Sequence, residues 1–432
     1  MTESINAPNN VETVVNIPDA SGIIKCKKCV VDGYDYRLFN YDPAYICNDD
    51  CKNGLYRSVI FSGLSDKLLC FTPPKSVTLD SFKNAKENTE ETVTVTETVE
   101  GTMITMFYNG DIDKWEISTK GSVSGDYYYY RNEYFNSVKT QDSTFRNMFL
   151  DALREPRSES KTDIDNSLFI YSLNRSYCYS FVLQHPDNHI VLPVVRPRLV
   201  LVSVFSITGN TVAYIPLSVY SKWDCFIDGV IEFPDVIDVA KNNRYSGSGI
   251  PYDIIQDKYG SSQTSVLIVG ANMVNNNTGM RTVIENPRYT ELKELRGNNP
   301  NIQYQYLHLL RMDKVKDFLF HFPRYRSVFN RFKTQYTKFA HDVHNSYVQY
   351  FVFKNREVPI SKRYMSHIFN LHKKYYVPSC TKKENSEIDE QDEDNAVIKK
   401  KIITKSVVFE YLRTLEPSVL LYYLNYDIHN GL

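Results

Sequence analysis

Residues 177–206, YCYSFVLQHPDNHIVLPVVRPRLVLVSVFS, restrict the fold more than any other stretch. Leu199 to Phe205 is almost continuously apolar and β-branched, the pattern of a strand buried on both faces. Tyr179, Phe181 and Leu183 alternate with Ser180, Val182 and Gln184, which predicts a strand with one buried face. Pro186, Asp187 and Asn188 supply the turn between the two runs. A doubly buried strand needs neighbours at its edges and cover on both faces, so the rest of the chain must supply further strands.

It does so on both sides. Residues 55–82 predict two short strands, a turn over 63–66 and a Pro-Pro loop. Residues 92–108, TVTVTETVEGTMITMFY, alternate as one long strand broken at Gly101, with a return after Asn109-Gly110. SVLIVGA, 265–271, predicts another buried strand, followed by the Asn275–Gly279 turn and a short strand. Residues 241–263, rich in Ser, Gly, Tyr and Asp, predict a mobile loop. A helix is expected over 142–154, starting at Asp142 or Ser143. Tyr127 to Tyr130 is a run of four tyrosines, better suited to packing than to stacking on bases.

From about residue 288 the period changes. Apolar side chains at 329, 332, 336, 339, 343, 347 and 350/351 predict one long amphipathic helix over 324–353. Further helices are expected around 301–321, 361–376, 404–414 and 417–426, the last with Pro417 in its first turn. Arg296 to Lys354 holds ten Lys or Arg and three Asp, interleaved with Tyr and Phe. Arg324, Arg326, Arg331 and Lys333 are therefore candidate RNA-backbone contacts, against the plainer reading of a basic solvent face. His341 and His344 share a helix face but lack a third metal ligand. Glu384 to Asp394 carries seven carboxylates and reads as a disordered insert, 381–397.

Charge is balanced, 50 basic against 51 acidic residues, so nothing global demands nucleic acid. No apolar run reaches the roughly 18 residues of a membrane span, and the start MTESINAPNN is polar; an intracellular, soluble protein is expected. Cys26-x2-Cys29 and Cys47-x3-Cys51 have the shape of a zinc knuckle, with 17 residues between the pairs. The alternative is an ordinary hairpin through YDYRLFNYDPAY. The expected division is a flexible 1–20, a cysteine-bearing 21–54, a sheet domain 55–295 and a helical domain 296–432.

Several strings in order, LYRSVIF (55–61), TPPKS (72–76), VEGTM (99–103), WEISTKGS (115–122), YSFVLQHPDNHIV (179–191), TVIENPRY and LRGNNPNIQYQYL (282–307), resemble the adenylyltransferase-fold RNA ligases of the phage tRNA-repair type, in a branch found in giant DNA viruses. The fold implied is α+β: a nucleotidyltransferase (ligase-like) fold of packed antiparallel sheets with flanking helices, followed by an all-helical C-terminal domain. Such ligases join a lysine to AMP from ATP, pass the adenylate to an RNA 5′-phosphate and seal it with a 3′-hydroxyl. The family lysine sits in Lys-x-Asp/Glu-Gly. Here the match is Thr98-Val99-Glu100-Gly101, and no lysine lies between Lys86 and Lys114. The family hairpin glutamate matches Ser180, its Glu-Gly ahead of the next buried strand matches Thr264-Ser265, and the paired lysines match Thr282 or Val283 and Glu285.

The resemblance leaves Arg57, Lys75, Glu100, Lys120 and Arg281 as nucleotide or phosphate ligands, no catalytic residue, and Thr98 in the nucleophile's place. It implies a catalytically inactive, degenerate ligase that binds nucleotide or RNA ends or acts as a scaffold, with RNA, nucleotide or other viral proteins as partners, in the host cytoplasm or the virion. ATP and magnesium enter only if ligase chemistry survives. Two alternatives stand beside it: an active ligase with its nucleophile moved to Lys114 or Lys120, and a structural virion protein with a zinc clamp.

Overall fold

The computed structural model describes residues 11–19, 22–47, 49–127, 144–153, 168–188, 190–226, 230–238, 249–357, 359–378 and 402–431. The acidic insert, Tyr128–Tyr130, Asp142 and Ser143 lie outside them. The architecture is α+β, with antiparallel sheets in one unit and helices in another. The described residues up to Arg296 form the first unit and those from Gly297 the second.

The central hairpin is present. β10 (Tyr177–Gln184) pairs antiparallel with β11 (Arg198–Thr208), Tyr179 opposite Val204 and Phe181 opposite Leu201, with a register shift at Ser180/Phe181. The largest sheet runs β1 (Glu12–Val14), β12 (Thr211–Ile215), β11, β10, β7 (Thr102–Asn109), β8 (Lys114–Thr119), β9 (Ser122–Val123). β13 (Ile231–Glu232) lies parallel to β11. β10 was expected to bury one face, yet Ser180 and Val182 are buried as fully as Tyr179 and Phe181. The helix Phe145–Leu153 covers the aromatic face, where Phe149 meets Phe181. Thr144 starts that helix, its Oγ1 accepting from Asn147 N. The other face is covered too, and there Ser180 Oγ bonds Thr105 Oγ1 at 3.2 Å, which keeps a buried hydroxyl satisfied.

A four-stranded sheet, β2 (Ile24–Val31), β3 (Tyr34–Tyr41), β4 (Val59–Ser62), β5 (Leu68–Cys70), joins the cysteine-bearing segment to the chain after residue 55. The third sheet orders β15 (Arg281–Glu285), β14 (Gly270–Asn275) and β6 (Val93–Glu97).

Three local expectations are corrected. Residues 92–108 are not one strand: β6 and β7 belong to different sheets, and 98–101 crosses between them. Gly101 permits the crossing. Its φ is +154°, and a Cβ there would stand 2.5 Å from Leu183 O. The strand expected at 265–271 begins only at Gly270. Asn286 donates to Ser265 O (2.8 Å) and Ile268 O (2.6 Å), pinning 265–268 as a loop that leaves Leu267 68% exposed. Part of the expected loop 241–263 is the helix Tyr252–Tyr259, which buries Ile255 and Tyr259 one turn apart.

In the second unit the helix Arg326–Tyr347 buries Phe329, Phe332, Tyr336, Phe339, Val343 and Tyr347, the apolar stripe read from sequence. A 3-10 turn precedes it at Pro323–Tyr325 and a π-helical turn continues it at Val348–Val352. The helix expected over 301–321 is two, Ile302–Arg311 and Val315–His321, parted by Asp313 at φ 56°. Lys362–Leu371, Lys405–Thr414 and Pro417–Leu424 complete the main helices.

Candidate functional site

The crossing 98–101 opens a cavity of about 700 Å³ in the first unit. Glu97, Thr98, Glu100, Asp235, Asp238, Arg198 and Lys258 line it. Arg198 is committed: its Nε donates to both Glu232 oxygens, at 3.1 and 3.0 Å, which also fixes β13 beside β11. Glu232 in turn falls below the usual carboxylate range because Arg198 bonds it. Glu97 is pushed up by burial and by Asp235. Four carboxylates, one guanidinium and one ammonium thus share its walls. Among the described residues no group of three or more His, Cys, Asp or Glu is placed to hold a metal ion.

Glu100 plays a different part from the one read in the sequence. Its Oε1 accepts from the successive amides of Ile190 (3.2 Å), Val191 (3.0 Å) and Leu192 (3.0 Å). Oε2 accepts from Leu192 as well, at 3.1 Å, and the residue is only 6% exposed. The carboxylate fills a nest of N–H groups and ties the loop after β10 to the crossing. Burial and Glu100 together push the Tyr289 phenol up.

The cations read from sequence do gather, but elsewhere. Arg57 precedes β4, Lys120 follows β8 and Arg281 opens β15, so each comes from a different sheet. Burial and Arg57 press Arg281 down to about 9, still protonated at neutral pH. Burial also lowers Arg57. Burial and then Arg57 lower Lys120, whose Nζ stands 5.4 Å over the Tyr41 ring. Among the described residues no carboxylate acts on any of the three. Arg57 Nη1 is enclosed without an acceptor. Arg57 and Arg281 nevertheless keep some open surface, so they line a recess rather than a sealed core.

The TPPKS loop forms one rim of the recess. Arg281 Nε donates to Pro74 O at 2.9 Å, and Lys75 N donates to Gly54 O at 2.9 Å. The Thr78 amide, which donates to Asp49 Oδ1 at 2.9 Å, holds that carboxyl below its usual range, and the Lys75 charge adds a smaller contribution.

The recess and the cavity sit at opposite ends of one hairpin. Gly270, at the cavity, pairs with Glu285, whereas Arg281 pairs with Val274. Four residues of strand separate them, about 13 Å at roughly 3.3 Å per residue. Thr98 N donates to Gly270 O at the cavity end, and Thr98 Oγ1 is buried without a partner.

The remaining predicted positions are placed as follows. Arg326, Arg331 and Lys333 are exposed along the helix that buries Phe329 and Phe332, and Arg324 is exposed in the 3-10 turn before it, donating to Tyr325 OH at 2.9 Å. Cys26 and Cys29 lie on β2, three residues apart, so they leave opposite faces of the sheet. Cys47 and Cys51 are exposed around the helical turn Cys51–Gly54, and the four thiols are not gathered. His344 Nε2 faces Ile403 O at 3.2 Å, and His341 packs against Phe409. Tyr127 packs on Phe145 and bonds Thr119. Lys258 also lines the cavity, on a helix whose Ser-, Gly- and Asp-rich surroundings give a loop-like sequence signal.

No family model matches the chain. An RNA ligase of Rhodothermus phage RM378 is 30% identical over 112 residues, 26% of this chain and 22% of that protein. The match thus spans about a fifth of the relative's length. An archaeal ATP-dependent RNA ligase, form 2, aligns at a TM-score of 0.38 and 11% identity over 71% of this chain and 67% of its own. A chain described as an ATP-dependent DNA ligase from Aquifex aeolicus aligns at a TM-score of 0.38 and 12% identity, over 72% and 78%. Over the matched stretch the sequence is similar to that of an RNA ligase.

Proposed function

We propose that this chain is a ligase-related protein that binds a phosphate-bearing ligand, a nucleotide or an RNA 5′ end, and does not form a lysine adenylate. The observation that carries it is the recess of Arg57, Lys120 and Arg281. Three cations without a facing carboxylate repel one another, and a phosphate relieves that repulsion while accepting their N–H groups. Thr98 offers no amine, and the acidic cavity disfavours phosphate at the place where an attack would occur.

The test compares RNA oligonucleotides bearing a 5′-phosphate with the same oligonucleotides bearing a 5′-hydroxyl. Wild type favours the phosphate, and the pair R57A/R281A loses that preference by about tenfold or more, from charged hydrogen bonds worth about 1.5–3 kcal/mol each. R281Q alone also weakens binding, because it removes one of the charges that a phosphate would meet. Equal affinity for both ends in wild type would overturn the proposal.

A second reading draws on Lys120. Burial and Arg57 lower its pKa, which is what an amine nucleophile requires. An AMP adduct mapped to Lys120 would establish it. Binding of neither nucleotide nor RNA would favour a structural role, including one in a virion.

A further inference from the structure

The second unit carries a surface that the basic helix face does not include. Two π-helical turns, Val348–Val352 and His372–Tyr376, meet through a ring pair. Phe351 and His372 stack between them with ring centroids 4.0 Å apart and planes 5° apart. Tyr347 OH and His372 Nδ1 are 3.2 Å apart, which fixes the imidazole in the stack. Phe369 joins the same group, 5.6 Å from Phe351 and 5.5 Å from Tyr350. π-turns of this kind recur at functional sites.

Phe353 is 67% exposed and Phe369 45% exposed. Phe353 N donates to Val348 O at 2.9 Å, and Lys354 follows at φ 54°, so the chain turns sharply with the Phe353 ring in solvent. Residues 348–378 contain six Lys or Arg and a single acid, Glu357. Arg363 is paired with Asp427 at 2.8 Å. Lys354, Arg356, Lys373 and Lys374 are exposed beside the rings. Arg356 lies 5.9 Å over the Tyr350 ring.

We propose that this patch is a stacking site for single-stranded RNA, with bases on Phe353 and Phe369 and phosphates on the surrounding lysines. Charge decides the occupant. A protein partner's interface is depleted in lysine, whereas a single strand uses lysine for its backbone and aromatic faces for its bases. The inference rests on the RNA reading above and concerns the second unit by itself.

The test uses the full chain with a short labelled poly(U) RNA and an RNA duplex of equal length. F353A/F369A weakens poly(U) binding about tenfold or more, with an unchanged salt dependence and little effect on the duplex. K373A/K374A instead lowers the slope of log affinity against log salt by about 1.4, near 0.7 for each phosphate no longer neutralised. All four side chains are exposed, so unchanged melting temperatures confirm folding. Wild-type affinity in both variants overturns the inference. So does loss of self-association in F353A/F369A with RNA binding intact, which makes the patch an interface between copies. Loss of the 5′-phosphate preference in R57A/R281A, with the patch variants silent, leaves the recess standing and refutes only the patch. A wild type that ignores both RNA and nucleotide refutes both.

Discussion

Replacing Glu100 by alanine separates a structural tie from a ligand contact. Three successive amides, Ile190, Val191 and Leu192, point at this carboxylate. E100A strands all three. An unmade buried hydrogen bond costs about 1–3 kcal/mol, and the half-exposed loop admits water to part of the gap, so the net loss is about 3 kcal/mol. For a unit of this size that lowers the melting temperature by about 6–12 °C. E100Q keeps one carbonyl acceptor and loses about half as much. Both tryptophans, Trp115 and Trp223, lie in the first unit, so their fluorescence reads its unfolding separately from the helices. The 5′-phosphate preference should survive at temperatures where the variant is folded. A variant of wild-type stability that has lost phosphate binding would refute this reasoning and return Glu100 to the ligand set.

Three further outcomes follow from single features. His367, buried in the helical unit, is pushed down to about 4 by burial from an ordinary 6.5, so unfolded chains bind the extra proton first as pH falls. The helical unit then loses about 2–3 kcal/mol between pH 7 and 4.5, and H367N removes most of that loss; an unchanged pH profile in H367N would refute the assignment. Joint replacement of Arg324, Arg326, Arg331 and Lys333 by alanine lowers the salt slope of single-strand RNA binding by about 3 if all four touch phosphate, with helicity by circular dichroism unchanged. Protein purified without chelator should carry well under one equivalent of zinc, since Cys26 and Cys29 diverge; stoichiometric metal that disappears in a C26S/C29S variant would contradict the geometry.

The strands were legible where burial and period agree. Leu199 to Phe205 and the stripe from Phe329 to Tyr347 could be placed from residue types alone. Period fails where an apolar run is short: VLIV at 266–269 reads as strand, and only the Asn286 side chain, distant in sequence, makes it loop. The change of sheet at 98–101 was marked by Gly101 but not explained by it, because the close approach of Leu183 is a tertiary fact. Arg57, Lys120 and Arg281 were nameable, yet their convergence depends on three sheets meeting. Glu100 is the reverse case. A carboxylate in a motif position looked like a ligand group, and its actual partners are backbone amides that no side-chain pattern records. Lys258 was hidden by a loop-like composition around a short helix.

Intact mass spectrometry of the full chain after incubation with ATP and magnesium, at a nucleotide concentration shown to saturate binding by thermal shift, separates phosphate binding in the recess from capture of AMP by an amine. A raised melting temperature and an unmodified mass are expected. A mass increase of one AMP, mapped to Lys120, Lys258 or any other lysine, would contradict the proposal.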